Sequence, residues 1–286
     1  MTERRRDWTP IIDRARTLAA AFTQRFQRPP TLRRLHYELV SDMSATAAGY
    51  ANVLGDYKQL SERTAELRRC GGFPDFAESV RYLSREDGFA DADDLRDHIR
   101  RIARVDRMQG QRCSVCVVVE KAGSRDFLHD WFDDYSVFVT ALGGYSSQTL
   151  IDTIRRRQQR DQRPMIVLYA GDHDASGEDI DRDFLQRLRQ GGPPIEVRRV
   201  ALLPNQVEEY QLPRSPFDKI DSRASSFLRK HGGLWQTELD ALDPDVLRAL
   251  FQTEFERVWD MSVYHQQLER EPQLIADVLG ESEDAA

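Results

Sequence analysis

The apolar positions of the chain change period near residue 115, and the two halves predict different kinds of structure. In the first half Ile11, Ile12, Ala15, Leu18, Ala19, Phe22 and Phe26 recur at three- and four-residue intervals, which predicts an amphipathic helix over residues 8–26. Pro29 and Pro30 end it. Thr31 stands where an N-cap is needed, ahead of a second helix with Leu32, Leu35, His36, Leu39 and Val40 on one side and Arg33, Arg34 and Tyr37 on the other. A Gly/Ala-rich connection leads to a third helix over 57–69, closed by Gly71-Gly72. Three short helices with a basic surface predict a helix-turn-helix or winged-helix-like module over 1–74. A charged, partly helical connector over 75–112 follows it.

Val115 to Val119 form a continuous apolar run that stops at the charged pair Glu120-Lys121, the pattern of a buried parallel strand. A helix over 124–132, a strand over 137–141, a Gly143-Gly144 turn and a helix over 146–159 come next. They are followed by a strand over 165–170, an acidic loop over 171–177, a helix over 178–189 and a strand over 195–202. Such alternation predicts an α/β fold, Rossmann-like, with a mostly parallel sheet flanked by helices over 113–203. In open α/β sheets the site lies at the carboxyl ends of the strands. Residues 204–286 read as a helical extension, with Trp235 and Trp259 packing and a frayed acidic tail.

Composition narrows the class. No apolar run among the 286 residues approaches the length of about 20 that a membrane span needs. The first residues run into Trp8, Thr9 and Pro10 rather than an apolar stretch, so no secretory signal is expected and a cytoplasmic, nucleoid-associated location is. Three cysteines give neither a disulfide framework nor a zinc site, and reduced core thiols are expected. Charge is uneven: residues 1–69 hold 13 Lys+Arg against 8 Asp+Glu, while 113–286 hold 20 against 31. A basic front suggests an anionic partner. An acidic back half would reach phosphate only across a bound cation.

Glu120 ends the first strand of the alternating region, and Asp172 and Asp174 follow the third. If those strands are neighbours, the three carboxylates share a small volume and repel one another unless a cation sits between them. Hard oxygen donors without a His or Cys cluster point to Mg²⁺, with Mn²⁺ as the substitute. The competing expectation is an acidic loop whose Asp caps the following helix. His173 reads as a spacer directed away from the metal. Gly143-Gly144-Tyr145-Ser146-Ser147 could offer N–H groups to a phosphate or simply form a turn. The segments 207–210 and 221–223 could line the same cleft.

Val117-Val118-Val119-Glu120-Lys121, then Phe127 and Leu128, then Tyr169-Ala170-Gly171-Asp172-His173-Asp174-Ala175-Ser176-Gly177 together resemble a Toprim domain over about 115–203. That domain is shared by topoisomerases, bacterial primases and certain nucleases, and these motifs are most similar to the A subunit of topoisomerase VI and the related meiotic double-strand-break protein. The resemblance implies that Glu120, Asp172 and Asp174 hold Mg²⁺ against a scissile phosphate, with Glu120 as a general acid/base. The same family carries a nucleophilic tyrosine in a winged-helix module ahead of the Toprim domain. Thr31-Leu32-Arg33-Arg34-Leu35-His36-Tyr37 fits that pattern with His36 in place of the usual aromatic. Tyr37 is thus the expected nucleophile, or else a helix tyrosine packed between helices. Arg33, one turn earlier, could stabilise the phenolate or grip phosphate. Arg34 and Lys121 are expected on DNA.

These readings predict a Mg²⁺-dependent protein that binds duplex DNA as a homodimer and cleaves it by transesterification through Tyr37, one subunit's tyrosine meeting the other's metal. No ATPase motif is present, so an ATPase partner subunit is expected if strands are to be passed. A hydrolytic nuclease using metal-activated water, with Glu120 as base, and a non-catalytic DNA-binding or assembly module are the alternatives.

Overall fold

A computed structural model describes residues 6–77, 88–144, 146–189, 193–216, 222–233 and 235–281. The front module is built from α1 (Thr9–Phe26), α2 (Leu32–Ser41), α3 (Met43–Ala47) and α4 (Leu54–Arg69). Thr31 caps α2 as expected, its hydroxyl accepting the Arg34 N–H at 3.1 Å. The third helix starts earlier than its periodicity suggested. The Gly/Ala-rich connection also holds a short helix, α3, because Asp42 accepts the N–H groups of Ser44 and Ala45. Ile11, Ala15, Leu35, Leu39, Tyr50 and Leu60 close a core of their own. No strand occurs among the described residues of this module, so four helices stand where a winged-helix-like unit was expected.

After α5 (Ala92–Ile102) come β1 (Ser114–Val119), α6 (Ala122–Phe132), β2 (Phe138–Ala141), α7 (Gln148–Asp161), β3 (Met165–Ala170), α8 (Ala175–Leu188) and β4 (Ile195–Ala201). The four strands form a parallel sheet in the order β2-β1-β3-β4. All six residues of β1 are buried, which is why the run lacks polar alternation. Its alternate residues serve opposite faces. Val115, Val117 and Val119 pack toward the C-terminal helices, Cys116 and Val118 toward α7 and α8. The alternation of strand and helix therefore predicted this region closely.

Residues beyond 203 are less purely helical than expected. They hold α9 (Pro204–Glu209), a short antiparallel pair of β5 (Ser215–Pro216) and β6 (Trp235–Gln236) around α10 (Ser222–His231), and then α11 (Pro244–Glu256) and α12 (Met261–Leu279). Leu247, Phe251, Phe255 and Trp259 belong to the same core as Val115 and Val117, with Trp235 packed on its margin. The extension thus covers one face of the sheet. Cys113 and Cys116 are buried thiols as expected, whereas Cys70 is exposed. Among the described residues no helix is long and apolar enough to cross a membrane.

Candidate active site

β1 and β3 are neighbours with Val119 level with Ala170, so Glu120 emerges from the sheet beside the Gly171-Asp172 turn. The Glu120 N–H donates to the Ala170 carbonyl at 2.9 Å, and Glu120 Oε2 accepts the Asp172 N–H at 2.9 Å. Both carboxylates are buried, at 5% and 3% exposure. Two like charges in such a place need compensation. Lys121 supplies it. Its Nζ lies 2.7 Å from Asp172 Oδ2 and 3.4 Å from Glu120 Oε1.

Burial and the Glu120 charge push the Asp172 carboxyl up to about 7, against the opposing pull of Lys121 and the Leu239 N–H. Burial alone would favour neutral Lys121, but Asp172 and Glu120 outweigh it and hold the ammonium above its ordinary pKa. Asp174 has a different partner. Its Oδ1 accepts the Gly177 N–H at 2.5 Å and caps α8. Burial raises its pKa as well. The expected pocket of three acids is therefore a pair of acids bridged by lysine, with the third carboxylate beside it as a helix cap.

The donors facing this pocket are hard oxygens, and Glu120 Oε1 with Asp172 Oδ2 already share one cation, the lysine ammonium. That chemistry fits Mg²⁺ or Mn²⁺ when Lys121 withdraws. As placed, no three His, Cys, Asp or Glu side chains among the described residues are grouped closely enough to hold a metal ion.

Glycine is required on both sides of the acidic turn. A Cβ at Gly171 would lie 2.2 Å from the Tyr169 hydroxyl, and one at Gly177 2.4 Å from the Asp172 carbonyl oxygen. Arg199, from β4, donates from Nη2 to the carbonyls of Gly171 and Asp172 at 3.1 and 2.6 Å. His173 points away from the acids as expected, among Phe227, His231 and Trp235. Burial, with the charges of His231 and Arg199, lowers its pKa to about 4.

The part of the site that sequence reasoning missed is a strap over residues 237–242. Its Thr237 forms an antiparallel bridge with His173, the two N–H groups donating across at 2.9 and 3.1 Å. The Leu239 N–H then donates to Asp172 Oδ1 at 2.9 Å, and Ser124 donates to Asp240 Oδ1 at 3.2 Å. The acid-apolar-acid spacing of Glu238-Leu239-Asp240 was its one signal, and it resembles any solvated loop.

The strap also ties the front module to the sheet. Arg33 pairs with Glu238. Arg34, expected on DNA, is turned inward, with its side chain 11% exposed. It donates to Glu38 and to the carbonyls of Asp240 and Leu242. Tyr37 is 7% exposed rather than on an open face. Burial and the charges of Glu238 and Asp172 hold its pKa above the ordinary phenol value, although Arg33 opposes them. This proximity lies within one chain.

His36 explains its departure from an aromatic. The imidazole is 5% exposed and packs edge-on against Tyr37, Tyr50 and Tyr57 at centroid distances of 5.1, 5.6 and 5.3 Å. Its Nε2–H donates to Asn52 Oδ1 at 3.1 Å and its Nδ1 accepts from the Tyr50 hydroxyl at 2.7 Å, a neutral ring held by two partners.

A cavity of about 650 Å³ opens beside Tyr37 and is also lined by Glu38, Tyr210 and Asp243. Of the weaker expectations, Tyr210 of the 207–210 segment reaches this cavity. Gly143 and Gly144 take positive φ in a turn, and Ser147 caps α7. Tyr145 and Asp221 lie outside the described residues. Compared with protein-family models and with curated proteins, the chain matches none.

Proposed function

We propose that the chain is a divalent-cation-dependent DNA-cleaving protein of topoisomerase VI A-like type, its Toprim-like sheet holding the scissile phosphate and its front module supplying the nucleophile. One observation carries the reading. The buried Glu120–Asp172 pair at the ends of β1 and β3 lies within electrostatic reach of Tyr37 of the same chain. The motif resemblance described above supports it.

In this scheme Glu120 and Asp172, with Asp174 beside them, would hold Mg²⁺ in the place that Lys121 takes in the resting chain. The ion supplies neutralisation of charge on the phosphate oxygens. Lys121, once displaced, remains a tethered cation for the substrate backbone. Arg33 grips the phosphate, and Tyr37 attacks the phosphorus through its oxygen, forming a phosphotyrosyl bond as the bond from phosphorus to the neighbouring deoxyribose oxygen breaks; that oxygen takes up a proton and leaves as a free hydroxyl. The phenol is held protonated in the resting chain, so its proton must pass to a base as the bond forms. A homodimer on duplex DNA, with an ATPase partner for strand passage, completes the proposal. Denaturant trapping with Mg²⁺ tests it: the parent forms a covalent protein–DNA adduct and Tyr37→Phe does not. Cleavage by Tyr37→Phe at the parent's rate overturns the covalent scheme.

A second reading is favoured by the depth at which Tyr37 is buried. Water replaces the phenol as nucleophile, Glu120 acts as base, and Tyr37 serves only to dock α2. Product ends bearing 5′-phosphate and no protein identify this hydrolytic route.

A further inference from the structure

Glu238 is an acid in a place where acids repel one another. Asp240, two residues along the strap, is half-buried, and desolvation together with Glu238 raises its pKa. Asp172 is bonded to the Leu239 N–H next to it. What holds the Glu238 carboxylate there is a convergent set of donors. Arg33 pairs with it, and Tyr37 and Lys121 lie near enough to feel its charge. A guanidinium, a phenol O–H and a nearby ammonium form the donor set that suits a phosphodiester oxygen pair.

The remaining geometry makes the carboxylate displaceable. The strap is fastened through its backbone, by Thr237 to His173, Leu239 to Asp172 and the Ala241 N–H to the Glu238 carbonyl. The Glu238 side chain can therefore swing without detaching the strap. It is 25% exposed and its Arg33 partner 41%, so both ends of the pair reach solvent. The cavity beside Tyr37 opens onto one member of the set, the tyrosine itself.

We propose that Glu238 is a built-in competitor of substrate: its carboxylate occupies the subsite for the phosphate of duplex DNA, formed by Arg33 and Tyr37, and DNA binds there only by displacing it. The inference rests on the proposed DNA reading of this site but not on cleavage. A tethered anion competes at a high effective concentration, so removing its charge strengthens binding.

The test is equilibrium binding of a short labelled DNA duplex in EDTA, where cleavage plays no part. Glu238→Gln keeps the size of the side chain and removes the charge. It is expected to tighten binding about tenfold at low salt and to steepen the dependence of log K on log salt by about 0.9, the increment for one added phosphate contact. Arg33→Ala should weaken binding more in the Glu238→Gln background than in the parent. Unchanged or weaker binding by Glu238→Gln, with thermal melting close to that of the parent, overturns the inference, as does an equal loss from Arg33→Ala in both backgrounds. If the amide variant folds poorly, Glu238→Asp, one methylene shorter, takes its place; it should tighten binding by a smaller factor, and no tightening again overturns the inference. The two claims fail separately: absence of a covalent adduct removes the cleavage reading and leaves this comparison standing. Absence of duplex binding in every variant removes the DNA reading itself.

Discussion

Lys121 Nζ sits 2.7 Å from Asp172 Oδ2, so the chain carries its own cation in the pocket where a divalent ion is expected. A tethered ammonium lets two buried carboxylates coexist in the folded protein before any ligand arrives. Its position also means that, under the proposed metal scheme, metal entry and lysine exit would be one exchange.

Lys121→Ala should therefore cost stability chiefly when no divalent ion is present. Removing one partner of a buried, charged cluster typically costs about 3 kcal/mol or more. The expected result is a lower melting temperature than the parent's in EDTA, with Mg²⁺ restoring more stability to the variant than it adds to the parent. Equal Mg²⁺ effects on the two proteins would show that lysine and metal do not share the pocket.

Acid should weaken the fold through His173. Its pKa falls from 6.5 to about 4 on folding because burial opposes the charged ring. The unfolded chain thus takes up the proton first, and stability declines as pH drops from about 6.5 toward 4. His36, also lowered by burial, acts in the same direction. Replacing His173 with Phe should flatten part of that decline in denaturant melts taken across the window. It also removes the buried Nε2, which has no partner.

Glycine positions separate into two kinds. Gly177→Ala would drive a methyl into the Asp172 carbonyl oxygen, and an unyielding backbone contact of that sort costs about 2 kcal/mol or more. Gly55, inside α4, has nothing within 4 Å. Gly55→Ala is expected to stabilise by about 0.5–1 kcal/mol through helix propensity. Chemical denaturation of the two variants should give shifts of opposite sign.

Arg34→Ala should loosen the docking of the front module. Its guanidinium bonds Glu38 and two strap carbonyls, and hydrogen bonds involving a charged group are worth about 1.5–3 kcal/mol each. Faster proteolysis near residues 237–242 is the expected sign, before any loss in the core strands.

The sheet was legible because β1, β2 and β3 are uninterrupted or nearly uninterrupted apolar runs between helical periods, while β4, which carries Glu196, Arg198 and Arg199, followed from the alternation of strand and helix. Val115 to Val119 could be little else, whereas the adjacency of β1 and β3 was only a condition in the reading of the sequence and is met in the sheet. Glu120 and Asp172 were singled out because they lie one and two residues past the ends of those strands. The orientation of α2 was not legible. Leu35 and Leu39 mark a buried face, but Arg34 and Tyr37 are covered by a segment two hundred residues away, and local periodicity carries no trace of such a cover. Lys121 was read as a DNA contact because its pairing with Asp172 depends on a side chain folding back over the turn. Asp174 was grouped with Asp172 because alternation in an extended backbone puts both on one side, whereas Asp174 is spent on the first turn of α8.

The attachment of α2 to the strap has a consequence for stoichiometry. Each polypeptide gathers Tyr37, Arg33 and the Glu120–Asp172 pair for itself, so under the proposed cleavage scheme a single copy would open one strand of a duplex and two copies would be required only to open both. In a mixed assembly, a copy lacking the phenol and a copy lacking the acids could not rescue one another.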